Sequence, residues 1–519
     1  MLFTMSGCGE DDGCDYTFRY DISSNPVTLD PQIANDVSSD IVIENVFTGL
    51  LTLDKDGSVK EGAASEYTVS DDGLTYNFKL RDDIYWTDNN EFEEKCTAKD
   101  FVYGFTRLFL PETRAPRAKD YFCIKNSELL NKGKTDSSQL GVKAKGEYEL
   151  EITLDYPNPR FLTMLTEPPA MPCSEKFFIQ SQGKYGLSDE CTPSNGSFYV
   201  RKWLYDPYTE DKDSNSITLV RNSKNAEGVC PAAVTFYIRD KEVFIDDFLG
   251  NDVHCVSVSE SEKALIKGDF INEEFGCITC GMVFNRKSAL FSNSDFCMAL
   301  ALLTDREMLS SVPEFKAAEG IVPDEVSMSG KSYRELAGAC RLPEYDVTSA
   351  RKYFLKAQPK LDTSLFTGAK VIVPDSAAET AVSYVMQEWQ REFGFYCVIE
   401  RLDGGEFDAR LKSGDYDIAV TELSGKYNSP SAYLEQFVSD SPDNFARFSD
   451  SGFEAALKQA ELSGSAEQYL AAEQELIDKA AFIPLYRKNE YFFTVKGGTD
   501  IVYDPFSKTV DFTLAKIFD

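Results

Sequence analysis

Apolar and polar residues alternate through much of the first third of the chain, and short acidic turns interrupt the alternation. Asp54-Lys55-Asp56-Gly57 and Ser70-Asp71-Asp72-Gly73 each set an Asp-Gly pair between two such runs, the pattern of a tight turn joining strands. One helix breaks this region. From Thr97 to Phe109, Phe101, Val102, Phe105, Leu108 and Phe109 recur at helical spacing, Thr97 and Asp100 are placed as an N-terminal capping pair, and Pro111 ends the run. Gly146 to Asp155 alternates again as a strand, and the proline-rich turns from Pro157 to Pro172 predict a domain boundary.

A different rhythm runs from Ala369 to Leu423. A strand (AKVIVP) leads to a helix from Ala377 to Phe393 with Gly394 as its stop, then a strand (FYCVIERL), a helix (GEFDARLKSG) and a strand (YDIAVTEL). Strand and helix alternating at this length imply right-handed crossovers and a parallel sheet. Val382, Val385, Met386, Trp389 and Phe393 form the buried stripe of the first helix, which makes Trp389 a core residue. Two more helices follow, the second capped by Ser465 and Gln468, and the aromatic segments Tyr486 to Phe493 and Tyr503 to Phe512 are expected to close the chain as strands. No internal repeat or low-complexity segment is present.

Composition narrows the class. At 519 residues the length predicts about three domains of ~150 residues each, and 42% hydrophobic with 13% aromatic residues supplies sizeable cores. The 53 basic and 86 acidic residues leave a formal charge of −33, which argues against nucleic acid and anionic membrane surfaces as partners. No run reaches the roughly 18 to 20 apolar residues that span a bilayer.

Thirteen cysteines and one histidine invite a search for metal or redox chemistry. Cys277-Ile-Thr-Cys280 is the one close pair, with His254-Cys255 upstream, and a zinc or redox site is one reading. The pair lies in an apolar run, CITCGMVF, that reads as a strand, so buried thiols are the preferred reading. Asp54, Asp56 and Gly57 lack the spaced oxygens and distal Glu of a calcium loop. A lone histidine without a nucleophile elbow gives no catalytic triad, and Gly404-Gly405 and Gly497-Gly498 lack the flanks of a phosphate loop. No cofactor, metal site or catalytic residue is expected.

Leu29 to Leu51 (LDPQIANDVSSDIVIENVFTGLL) and the following SDDGLTYNFKLRDDIYWTD resemble the opening of the extracellular solute-binding proteins of family 5, the peptide-binding receptors of ABC importers. The likeness continues in order through CTAKDFVYGFTRL, GVKAKGEYELEITLDYPNPRFL, NGSFYVRKW, ITLVRNSKN, MVFNRKSALF, ALALLTDREML, YDVTSARKYFLKA, EWQREFGF and AAEQELIDKAAFIPLY. It implies an α/β, two-lobed, periplasmic-binding-protein-like fold of the Venus-flytrap type (class II, large cluster C form) with an extra α+β domain. Lobe I would take 15–49, 167–277 and 490–519, the extra domain 50–166, and lobe II 278–489. Such a receptor catalyses nothing; it closes on a peptide or small solute and delivers it to a permease driven by an ATPase subunit. It is expected to act as an extracytoplasmic monomer. Met5-Ser6-Gly7-Cys8 resembles a bacterial lipobox, with Cys8 as the lipidated residue and residues 1–14 as signal remnant and tether.

Specificity departs from the family. Peptide-binding members usually carry W-x-x-D-Y-x-x-P, whose aspartate pairs with the ligand ammonium, whereas this chain has Leu423-Ser424-Gly425-Lys426-Tyr427-Asn428-Ser429-Pro430. Lys426 reverses the expected charge, and like charges about 4 Å apart in a partly dry site repel by a few kcal/mol. Lys426 is therefore expected to meet a carboxylate or other acceptor on the ligand, the alternative being a lysine turned to solvent. The resemblance also marks Asn35, Val37, Ser424, Gly425, Asn444 and Tyr486 as ligand contacts, with Trp203 as a cleft wall or a core residue. Strand edges at Asn35 to Val37 and Glu422 to Gly425 would bind peptide main chain. A ligand sensor without transport and a binder of a non-peptide solute are the alternative functions.

Overall fold

The computed structural model describes residues 14–518 except 56, 91, 210, 212–213, 226–227, 311–314 and 329. Cys8 and the lipobox lie outside the described residues. The chain divides into two units, Met1–Glu274 with Tyr491–Asp519, and Phe275–Glu490.

The first unit opens with β1 (Thr17–Ile22) and α1 (Val37–Val46). Asp36 caps α1 by accepting the Ser39 amide at 2.8 Å, and Ile41, Val42, Ile43 and Val46 are all buried. Burial on so many sides erases the one-faced pattern by which a helix is recognised, so this helix escaped the reading of strands. The strands β2 (Ala64–Val69) and β3 (Thr75–Leu80) pair antiparallel across the Ser70–Gly73 turn. In β3 the alternation is literal, with Tyr76, Phe78 and Leu80 buried and the intervening residues outward.

Next comes α2 (Ala98–Phe109), whose Thr97–Asp100 capping box is formed and whose Phe101, Phe105, Leu108 and Phe109 are buried. Then β4 (Val142–Ala144) and β5 (Glu149–Thr153) complete a four-stranded sheet of order β2-β3-β5-β4. This sheet lies wholly within residues 50–166, which belong to the first unit. A second sheet is built from β6 (Phe198–Leu204), β7 (Ser216–Arg221) and β8 (Ala233–Ile238), in the order β1-β8-β7-β6. The pairing of β1 with β8 is parallel, Thr17 opposite Ala233. After it comes β9 (Cys255–Ser259).

The second unit carries the expected parallel core. Its elements are β10 (Ile271–Phe284), which enters from the first unit, β11 (Thr367–Val373), α3 (Ser376–Phe393), β12 (Tyr396–Arg401), α4 (Gly404–Ser413) and β13 (Ile418–Ser424). They are followed by α5 (Ser451–Ser463), α6 (Ala466–Asp478) and β14 (Ile483–Thr494), which leaves for the first unit. The sheet runs β9-β14-β10-β13-β11-β12. Both β12 and β13 lie parallel to β11, on opposite sides of it. Trp389 on α3 is fully buried and its indole N–H donates to the Leu300 carbonyl at 3.0 Å. Gly394 stops the helix with a left-handed φ of 62°, a conformation that costs glycine nothing.

The closing segments differ from expectation at the last one. Tyr503 to Phe512 is not one strand but a hairpin, Val502–Tyr503 against Val510–Asp511. The Asp504 side chain accepts the Phe506 amide at 2.9 Å and its carbonyl accepts Lys508 N–H at 2.8 Å, so the Asp-Pro pair turns the chain instead of extending it.

Candidate functional site

The order of the parallel strands in the second unit locates a site. From β11 the chain crosses through α3 to β12 on one side, then returns through α4 to β13 on the other. The carboxyl ends of β11 and β13 therefore flank a topological switch point, where diverging connections leave a crevice in open α/β sheets. Pairing between these strands is confined to Val371 with Ile418 and Ile372 with Ala419. Beyond Ala419 the edge of β13 facing β11 has no strand partner among the described residues, while its other edge stays paired to β10 as far as Ser424.

Charged groups gather at that open end. Asp375 caps α3, its Oδ1 accepting the Ala378 amide at 2.7 Å, and its Oδ2 accepts Lys488 Nζ of β14 at 2.7 Å. Lys488 also donates to Glu422 Oε1 of β13. Burial alone would raise the Asp375 carboxyl, yet the Ala378 amide and the Lys488 ammonium bring it below its ordinary value. Desolvation opposes charge on Lys488, but Glu422 and Asp375 hold its pKa above the ordinary lysine value. Thr421, between Val420 and Glu422, is 3% exposed and its hydroxyl has no hydrogen-bond partner among the described residues.

Ser424, Gly425 and Lys426 follow directly on this edge. The Ser424 carbonyl accepts Gln436 Nε2 at 3.0 Å and its side chain is exposed. A Cβ on Gly425 would stand 2.8 Å from a Tyr433 ring carbon and 3.0 Å from the Tyr427 carbonyl, so a side chain there would force the turn apart. The Lys426 side chain is 77% exposed and its ammonium lies 3.1 Å from Asp443 Oδ2.

Two further expected contacts are buried. Asn444 is 4% exposed, and its amide donates to the Val438 and Phe448 carbonyls at 3.1 and 2.7 Å while accepting Phe448 N–H at 3.0 Å. Its polar atoms are committed to closing a loop. Tyr486 is 2% exposed, with its ring 4.5 Å from that of Phe315, and burial beside Cys280 pushes its phenol far above the ordinary range. It belongs to the core of the second unit.

In the first unit, Asn35 and Val37 are exposed, but they flank the Asp36 cap of α1. The strand edge expected at Asn35 to Val37 is thus a helix start, because Asp36 diverts the main-chain donors to its own carboxylate. Trp203 on β6 is half-buried and its indole N–H donates to Asn25 Oδ1 at 2.8 Å. The Gly196-Ser197 turn is held by Asn222 N–H on the Ser197 carbonyl at 2.8 Å and by Thr513 on its hydroxyl at 3.0 Å.

His254 belongs to the first unit, and Cys280 stands opposite Glu422 in the pairing of β10 with β13. His254 is 8% exposed and Cys280 1%, and burial raises the Cys280 thiol well above its ordinary value. Among the described residues, no group of three or more His, Cys, Asp or Glu is placed to hold a metal ion. Sequence reasoning missed Asp375, Lys488 and Asp443, and it named Glu422 only as the start of a main-chain strand edge. A carboxylate inside the otherwise apolar run of β13 was the available signal.

Comparison with known proteins agrees with this architecture. The chain is 27% identical over 90% of its length, and 87% of the relative's, to the probable deoxycholate-binding periplasmic protein YgiS of Escherichia coli strain K12. To the dipeptide-binding protein of Lactococcus lactis subsp. cremoris it is 24% identical, over 93% of this chain and 90% of that one. The solved structure of Listeria monocytogenes OppA bound to peptide superposes with a TM-score of 0.71 at 23% identity, covering 97% of this chain and 99% of that one, which shows the same fold. The pattern of the bacterial extracellular solute-binding proteins, family 5 Middle, matches residues 58–445. With most of its length matched in this way, the chain belongs to the bacterial extracellular solute-binding proteins of family 5.

Proposed function

We propose that this protein is the receptor of an ABC importer, binding a short peptide or a related charged solute and presenting it to a membrane permease coupled to an ATPase. The observation that carries the reading is the open edge of β13 at the switch point with β11. An extended ligand can add to such an edge through main-chain hydrogen bonds, which tolerate varied side chains. Relatives named as dipeptide- and oligopeptide-binding proteins support the peptide class.

A non-peptide solute is the second reading, favoured by Lys426. A cation at the rim suits a ligand carboxylate, and a relative named for binding deoxycholate carries this ligand class in the family. Action without catalysis, lipid attachment through Cys8, a monomeric state, a separate extra domain at 50–166 and capture by lobe closure belong to the same proposal and rest on the resemblance.

Denaturing the protein purified from a rich medium and identifying what is released by mass spectrometry tests the reading. Recovered short peptides support import of peptides, a released anionic non-peptide supports the second reading, and reproducibly empty protein counts against both.

A further inference from the structure

The Lys488 cluster asks for a role of its own. One ammonium is held by two carboxylates, and the three side chains keep 25%, 38% and 40% exposure for Lys488, Asp375 and Glu422 respectively. Asp375 has both oxygens engaged, one by the Ala378 amide and one by Lys488. Glu422 is different. Lys488 engages its Oε1, and Oε2 accepts no hydrogen bond from any described residue. The cluster as a whole carries one negative charge in excess.

Place and charge together define what can be received. Glu422 lies on the stretch of β13 that has no strand partner toward β11 among the described residues. A long glutamate at an exposed edge would normally sample many rotamers, but here Lys488 fixes one oxygen and leaves the other open. A carboxylate arriving at this point would meet excess negative charge, whereas an ammonium or guanidinium would complete it.

Resting on the peptide-receptor reading, we infer that Glu422 receives the ligand's cationic group, the free ammonium of a peptide in the simplest case, with Lys488 and Asp375 as positioning residues. The acid that the family pattern would put at position 426 is thus supplied four residues earlier, on β13. Lys426 then lies beyond the ammonium site, available to the ligand's opposite charge.

Native mass spectrometry against a random tripeptide pool, and against the same pool N-acetylated, tests this. The wild-type protein is expected to retain free-amino peptides at least tenfold over acetylated ones. Glu422→Gln should abolish that preference with the melting temperature unchanged. Lys488→Met should weaken it and Lys488→Arg restore it, a rescue that a purely structural lysine would not show in the ratio of the two pools. Equal retention by wild type and Glu422→Gln overturns the inference and leaves the peptide reading intact. Failure of wild type to retain any peptide overturns both.

Discussion

Lys426 Nζ and Asp443 Oδ2 are 3.1 Å apart, with the lysine side chain 77% exposed and the aspartate 35%. The charge that departs from the family pattern is therefore held by an acid of its own unit, at the surface, and can be exchanged without disturbing a core.

Exposed pairs of this kind are worth about 0–1 kcal/mol. Lys426→Ala should accordingly shift the urea midpoint little, while weakening retention of ligands that carry a carboxylate. Urea titration and ligand recovery from the variant check both halves. A large stability loss with unchanged recovery would make Lys426 structural.

Asn444 is expected to behave the opposite way. Asn444→Ala removes the partners of the Phe448 amide and carbonyl, while the Val438 carbonyl keeps the Ser441 N–H at 3.0 Å, and buried main-chain groups left unpaired cost about 1–3 kcal/mol each. Denaturant unfolding should show the loss, and the affinity of the folded fraction should be unaltered. A fall in affinity at unchanged stability would return Asn444 to the ligand site.

Arg107 and Asp30 tie α2 to the opening Leu-Asp-Pro segment. The guanidinium meets Asp30 in two bonds, at 3.0 and 2.5 Å, adds Gln32 at 2.7 Å, and lies 4.1 Å from the Phe178 ring. Both members are almost wholly buried. Arg107→Ala leaves Asp30 charged and unpaired, which should cost about 3–5 kcal/mol, and Arg107→Lys should rescue little because the two-pronged geometry is lost. Equilibrium unfolding of the two variants decides it.

His254 sets an acid limit on the first unit. Burial first, and the Arg19 guanidinium second, lower its pKa to about 4 from 6.5; the Arg19 amide donates to Nδ1 at 3.1 Å and the guanidinium faces Nε2 at 3.2 Å. A folded pKa below the unfolded one means the unfolded chain binds the proton first. The contribution is present in full above pH 6.5 and is lost as pH falls toward 4, by roughly 3 kcal/mol in all. Asp40 and Asp100, each raised chiefly by burial to about 6, act in the opposite sense over part of that window. The difference between wild-type and His254→Gln unfolding curves from pH 7 to 4 isolates the histidine term, and parallel curves would refute it.

Elements with one buried face were legible from the sequence. The α2 capping box, the α3 stripe with Trp389, the Gly394 stop and the three parallel strands follow from periodicity, because one-sided burial writes its period into the residues. The α1 helix was not legible, since it is buried on several sides, and the final hairpin was hidden by aromatic residues on both arms of a short turn. Positions carried over by resemblance lie in different settings for a related reason. Alignment preserves place along the chain, so Ser424 ends β13 and Gly425 and Lys426 follow it directly, but it does not say whether a polar side chain is spent inside the fold, as in Asn444.

The sequence by itself determined the class of fold, the family and the reversal of charge at position 426, because local periodicity and ordered motifs are properties of the chain. Only the tertiary structure decided that Asp375, Glu422 and Lys488, far apart in sequence, meet at one strand end. Sheet order is set by long-range pairing, which brings together residues whose separation along the chain carries no record of their contact.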